Sequence, residues 1–136
     1  MLVLDASLTI AAVLKDESSE AAQAILARAS EGNTWVPSLW RLEIANVLRN
    51  AVRRGRCDQA FTDATLEDLG NFSIVLDPET DNHAWGATLA LSREEGLTLY
   101  DAAYLELAIR LNATLASCDA DLLAAARRRG LDVLTA

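Results

Sequence analysis

Apolar positions in this chain come in two forms: short unbroken runs of three to five residues, and longer stretches in which apolar side chains recur at helical spacing. Leu2-Val3-Leu4 has no polar face, which suits a strand covered on both sides. Trp35-Val36, Phe72 to Leu76, Thr114 to Ser117 and Leu131 to Leu134 read as four further strands. Between them the pattern predicts helices over Ser7 to Leu14, Glu20 to Ala29, Leu39 to Arg54 and Asp58 to Leu69. Further helices are predicted over His83 to Glu95, Tyr100 to Leu111 and Asp121 to Arg129. Punctuation agrees: Gly32-Asn33, Gly55, Gly70-Asn71 and Gly96 stand at helix ends, while Ser38, Asp58 and Asp81 stand where N-caps are wanted. Strands alternating with helices predict an α/β fold of three layers, α/β/α. Its central sheet should be mostly parallel, with about five short strands. No repeat, linker or low-complexity tract divides the chain, so residues 1–136 are expected to form a single domain.

Two cysteines, Cys57 and Cys118, are too few for a disulfide framework or a zinc site. No apolar stretch is long enough to span a bilayer, and no basic-then-apolar leader precedes the first strand. The expectation is a cytoplasmic protein without a membrane role. A formal net charge of −8 argues against binding nucleic acid by charge alone. Cations held by some of the acids would soften that objection. The basic runs Arg53-Arg54-Gly55-Arg56 and Arg127-Arg128-Arg129 serve equally as solvated helix ends or as contacts to RNA or a partner.

Four acids stand out by position. Asp5 ends the first strand, Glu43 lies inside the helix after the second, Asp101 opens a helix near Thr98, and Asp119 follows the strand ending at Ser117. In open parallel sheets, ligand chemistry gathers where strands end and helices begin. Each acid also has a structural reading. Asp5 or Ser7 would cap a helix, Thr98 to Asp101 matches a capping box, and either Asp119 or Asp121 would cap the last helix. Glu43 has no basic residue three or four positions away, unlike Glu106, which has Arg110 and reads as a solvated pair. Two unit charges about 4 Å apart repel by roughly 4 kcal/mol at an effective dielectric near 20. Gathered carboxylates therefore take up protons or hold cations. Oxygen donors without convergent His or Cys favour Mg2+ or Mn2+, and the chemistry that fits is phosphodiester hydrolysis. Lone His83 reads as a surface residue near a helix start. Trp35, Trp40 and Trp85 read as core or interface anchors.

Together, Leu4-Asp5-Ala6-Ser7, Leu42 to Leu48, Leu99 to Tyr104 and Ser117 to Leu122 resemble the PIN-domain ribonucleases, and more narrowly the VapC-type toxins of toxin–antitoxin pairs. The likeness runs through essentially the whole chain in order and spacing. It implies a metal-dependent endoribonuclease, usually a homodimer, held inactive by a cognate antitoxin. Carried over residue by residue, Asp5, Glu43, Asp101 and Asp119 match the family's acidic quartet as catalytic and metal-binding residues. Ser7 and Asn46 match polar positions beside it. Ser117 stands where Thr is common, and Asp121 is an extra acid at the rim. An antitoxin of this family would lay a basic segment along the helix carrying Glu43 and the early helices, with Leu8 and Trp40 as apolar anchor points.

Rival readings fare less well. A phosphoacceptor receiver needs a late lysine, and Lys15 is the only one; a dehalogenase-like phosphatase needs an acid where Ser7 stands. No glycine-rich phosphate loop follows the first strand. A catalytically silent PIN-like binding module, and a DNA nuclease of similar fold, stay open as alternatives.

Overall fold

The computed structural model describes residues 1–136. The elements run in chain order as β1 (Leu2–Leu4), α1 (Ala6–Val13), α2 (Glu20–Ser30), β2 (Thr34–Val36), α3 (Trp40–Arg53), α4 (Gln59–Gly70), β3 (Ile74–Leu76), α5 (Thr80–Ala84), α6 (Ala87–Glu95), α7 (Leu99–Leu111), β4 (Thr114–Ala116), α8 (Ala120–Arg128) and β5 (Val133–Leu134). All five strands are parallel, in the order β3-β2-β1-β4-β5. β1 is central, and Val3 and Leu4 are fully buried, as its uniformly apolar run predicts. From β1 the chain steps one way through β2 to β3, then crosses to β4 and steps the other way to β5. Right-handed crossovers put α1 to α4 on one face and α5 to α8 on the other. The directions part at β1 and β4, and the crevice beyond their C-terminal ends is where such sheets hold ligands.

The helix that positions this end is α7. Ala102 through Ala108 are buried without a break, so α7 is enclosed nearly all round rather than amphipathic. Its start is fixed by Thr98, whose hydroxyl accepts the Asp101 N–H at 3.1 Å, and its end by Asn112 in the left-handed region at φ 49°.

Several local expectations change. The helix predicted over His83 to Glu95 is two, α5 and α6, broken at Trp85 and Gly86, where glycine weakens helix continuity. Ser38 does not cap α3: Leu39 is its N-cap residue, and the Ser38 N–H instead donates to Thr80 Oγ1. Asp81 is not a cap either, because α5 starts from Glu79. Glu106 and Arg110 are no solvated pair. Glu106 is 5% exposed, and Arg110 grips it together with Asp77, 2% exposed, at 2.6 Å. Asp77 also accepts the Glu79 N–H and the Thr80 hydroxyl, so the turn after β3 is tied to α7. Burial alone would raise Asp77, but the Arg110, Glu79 and Thr80 hydrogen bonds together hold it below the usual carboxylate range. His83 sits in the last turn of α5, 3.6 Å from Glu106. Trp40 is core and Trp35 packs against it, whereas Trp85 is 93% exposed. Leu8 and Trp40 are both buried, so neither is free to anchor a partner; Leu42, on the same helix as Glu43, is exposed. No helix is long and apolar enough to cross a membrane.

Candidate active site

Asp5 leaves the central strand directly into the first turn of α1 and is 4% exposed. It is the α1 N-cap residue by backbone position, yet its side chain makes no capping hydrogen bond. Its carboxylate is instead held from two chain segments. Ser7 Oγ donates to Asp5 Oδ2 at 2.6 Å and Ser117 Oγ donates to the same oxygen at 2.7 Å. Each hydroxyl is oriented in turn by a backbone donor: the Cys118 N–H reaches Ser7 Oγ at 3.0 Å, and the Asp119 N–H reaches Ser117 Oγ at 2.9 Å. Each serine gives its single proton to Oδ2, a carboxylate oxygen that can only accept, while its own oxygen takes up one of these N–H groups. Burial raises the Asp5 carboxyl above its usual range, the two serines work against that, and the Asp119 charge adds to it.

Glu43 comes from the first turn of α3 and is half-buried. Tyr104, buried in α7, donates its hydroxyl to Glu43 Oε1 at 2.5 Å. Burial raises Glu43, the Tyr104 hydrogen bond lowers it, and the Asp5 and Asp101 charges raise it further. Burial and the facing carboxylates push the Tyr104 phenol up, so it remains a donor. Asp101, in the first turn of α7, is pushed up to about 6 by burial and then by the charges of Asp119 and Asp5. Asp119 caps α8 through the Leu122 N–H at 3.0 Å. That cap role leaves Asp121 free of it; Asp121 is solvent-exposed and acts on Asp101 only as a more distant charge.

Asp5, Ser7, Glu43, Asp101 and Asp119 line one open cleft of about 370 Å³ beyond the ends of β1 and β4, with Ile10, Ala11 and Val47 as its apolar wall. Ser117 lies buried beneath Asp5. Asn46 does not line the cleft: one turn past Glu43 on α3, it faces solvent. Glu17 and Tyr104 are functional neighbours that the sequence pattern did not single out. Glu17 stands at the rim, its carboxylate paired with Arg56. Tyr104 could have been noticed from its place three residues after Asp101, hence on the same helical face.

The acids share the cleft without closing into a preset group of three or more ligands. What fits a hard divalent cation is the donor chemistry: oxygen ligands only, with Asp5, Glu43 and Asp101 all holding protons more tightly than free carboxylates, through burial first and then the charge of neighbouring acids of the cleft. A cation among them would relieve that repulsion.

Comparison with known proteins gives a consistent picture. Residues 2–134 match the PIN domain family. The chain is 33% identical over 121 residues to ribonuclease VapC3 of Pyrobaculum aerophilum, covering 89% of this chain and 91% of that one. Its fold is similar to the crystal structure of PAE2754 from Pyrobaculum aerophilum, with a TM-score of 0.70 and 26% identity over 97% of this chain and 89% of that one. It is also similar to VapC20 of Mycobacterium tuberculosis, a toxin that cleaves the sarcin–ricin loop, with a TM-score of 0.65 and 16% identity over 92% and 95% of the two chains.

Proposed function

The chain belongs to the PIN-domain family, and from that premise we propose that it is a Mg2+- or Mn2+-dependent endoribonuclease acting as the toxin of a toxin–antitoxin pair. The observation that carries this reading is the cleft in which Asp5, Glu43, Asp101 and Asp119, from four separate segments, face one another at the switch point of the sheet. These four would hold the cation. When bound, it supplies the charge that stabilises the scissile phosphate and acidifies the attacking water. The chain's own groups do the positioning. Ser7 and Ser117 fix one oxygen of Asp5 and leave the other free, and the Leu122 N–H holds Asp119. Ile10, Ala11 and Val47 form an apolar wall, beside which charges are less screened than in bulk water.

The ribonuclease relative at 33% identity supports RNA as the substrate class. An acidic cleft open enough for an RNA backbone also admits a basic side chain, and an Arg there would pair bidentately with carboxylates and compete with metal. We therefore assign the partner as a small antitoxin with a basic segment, acting on a homodimer in the cytoplasm. Incubating purified protein with RNA and Mg2+ or Mn2+ tests the reading. Cleavage that EDTA abolishes and excess Mg2+ restores is expected. Cleavage persisting in EDTA overturns the metal mechanism, and DNA cleavage or binding without cleavage selects one of the alternatives.

A further inference from the structure

The geometry of α3 and α7 carries the argument past the acids themselves, and it rests on the nuclease reading above. We propose that Tyr104 is a positioning residue for the cleft, its buried hydroxyl holding Glu43 so that a free carboxylate oxygen faces a divalent cation.

Three observations support this. First, the anchoring is unequal across the quartet. Asp5 has two serine donors and Asp119 a backbone donor, Asp101 has no carboxylate donor beyond its neighbour Thr98, and Glu43 has a single protein donor, Tyr104, 61 residues away. Second, Glu43 is the acid that most needs a tether. It has one more rotatable bond than aspartate, sits half-exposed beside exposed Leu42, and has no basic neighbour at helical spacing. Released, it would sample solvent rotamers, and ordering it on each binding event would cost side-chain entropy. Third, Tyr104 stands three residues after Asp101, inside the unbroken buried run of α7. One rigid element therefore supplies one ligand directly and sets the orientation of a second. An Oε1 that accepts from Tyr104 keeps Oε2 for the cleft that Glu43 lines. Donors behind metal ligands work in this way, and losing one costs roughly ten- to a hundredfold in metal affinity or activity.

The competing explanation is purely structural: a buried phenol needs an acceptor, and Glu43 happens to provide it. Tyr104→Phe separates the two, because it keeps the ring in the core and removes only the donor. Mn2+ affinity by calorimetry, thermal midpoint and RNA cleavage are measured on the full chain. Expected is Mn2+ binding weakened roughly ten- to a hundredfold, with kcat falling alongside and KM little changed. With Glu43→Gln already in place, adding Tyr104→Phe should alter Mn2+ affinity no further. Unchanged Mn2+ affinity and kcat in Tyr104→Phe, whatever the midpoint does, overturn the role of Tyr104 and leave the nuclease reading intact. A wild-type chain that binds Mn2+ without cutting RNA removes the nuclease reading, and the Mn2+ comparison alone then decides the role of Tyr104. A wild-type chain that binds no Mn2+ overturns both. Should Tyr104→Phe not fold, Glu43→Asp draws the carboxylate away from the hydroxyl with the charge kept; full Mn2+ affinity in that variant overturns the proposal.

Discussion

Asp101 belongs to a capping motif and to the cleft at once, through different atoms. Its N–H closes the cap on Thr98, while its carboxylate lines the cleft among other acids. Asp101→Asn keeps the first and removes the charge of the second. RNA cleavage should fall by roughly a hundredfold or more, and the metal-free thermal midpoint should hold or rise as repulsion is relieved. A fully active variant rules the assignment out. The sign of the pH dependence follows from the same group. The folded carboxyl lies at about 6, above its unfolded value of 3.8, so the folded chain binds more protons between those values. Without divalent cation, stability should therefore rise as pH falls from about 7 toward 5, with Asp5 and Glu43 acting in the same direction. Melting curves across that range should show the rise, and Asp101→Asn should flatten it. Asp5, Asp101 and Asp119 were legible because each follows an apolar run or a cap residue in the chain. For Tyr104 the spacing from Asp101 marks only the helical face, since its acceptor Glu43 lies 61 residues away and no local pattern marks that pairing.

At the level of elements, strands and helix starts were readable where the apolar run itself decides the outcome, as in β1 and β4. Reading failed where tertiary partners decide. Spacing from His83 to Glu95 is helical throughout, but the chain turns at Gly86 to fold α6 onto α7. Glu106 and Arg110 look like a surface pair at i, i+4 until the turn after β3 covers them with Asp77. That burial makes a different prediction from a solvated pair, whose loss costs under about 1 kcal/mol. Arg110→Ala leaves Asp77 and Glu106 buried without their shared cation and should cost about 3 kcal/mol or more, read as a lower denaturant midpoint with an unchanged slope. Adding Asp77→Asn should recover part of the loss, since Glu106 still lacks the cation. A single-variant cost near that of a surface pair would show the network to be loose.

At the scale of the whole molecule, cation binding and folding should be coupled. A cation at a hundredfold excess over its Kd adds about 2.7 kcal/mol, roughly 10 °C in midpoint for a chain of this size. Mg2+ or Mn2+ should produce such a shift and EDTA should reverse it; no shift with either ion counts against the metal assignment. The sheet order has a consequence of another kind, in time rather than space. Asp5 is held by Ser117, 112 residues further along, and β1 cannot pair with β4 until that strand has been made. At about 5–20 residues per second, a ribosome needs roughly 5–20 s to supply the missing side of the cleft. Through that interval the growing chain carries its first acid with no second wall, so the cleft stays incomplete until nearly the whole chain has been made.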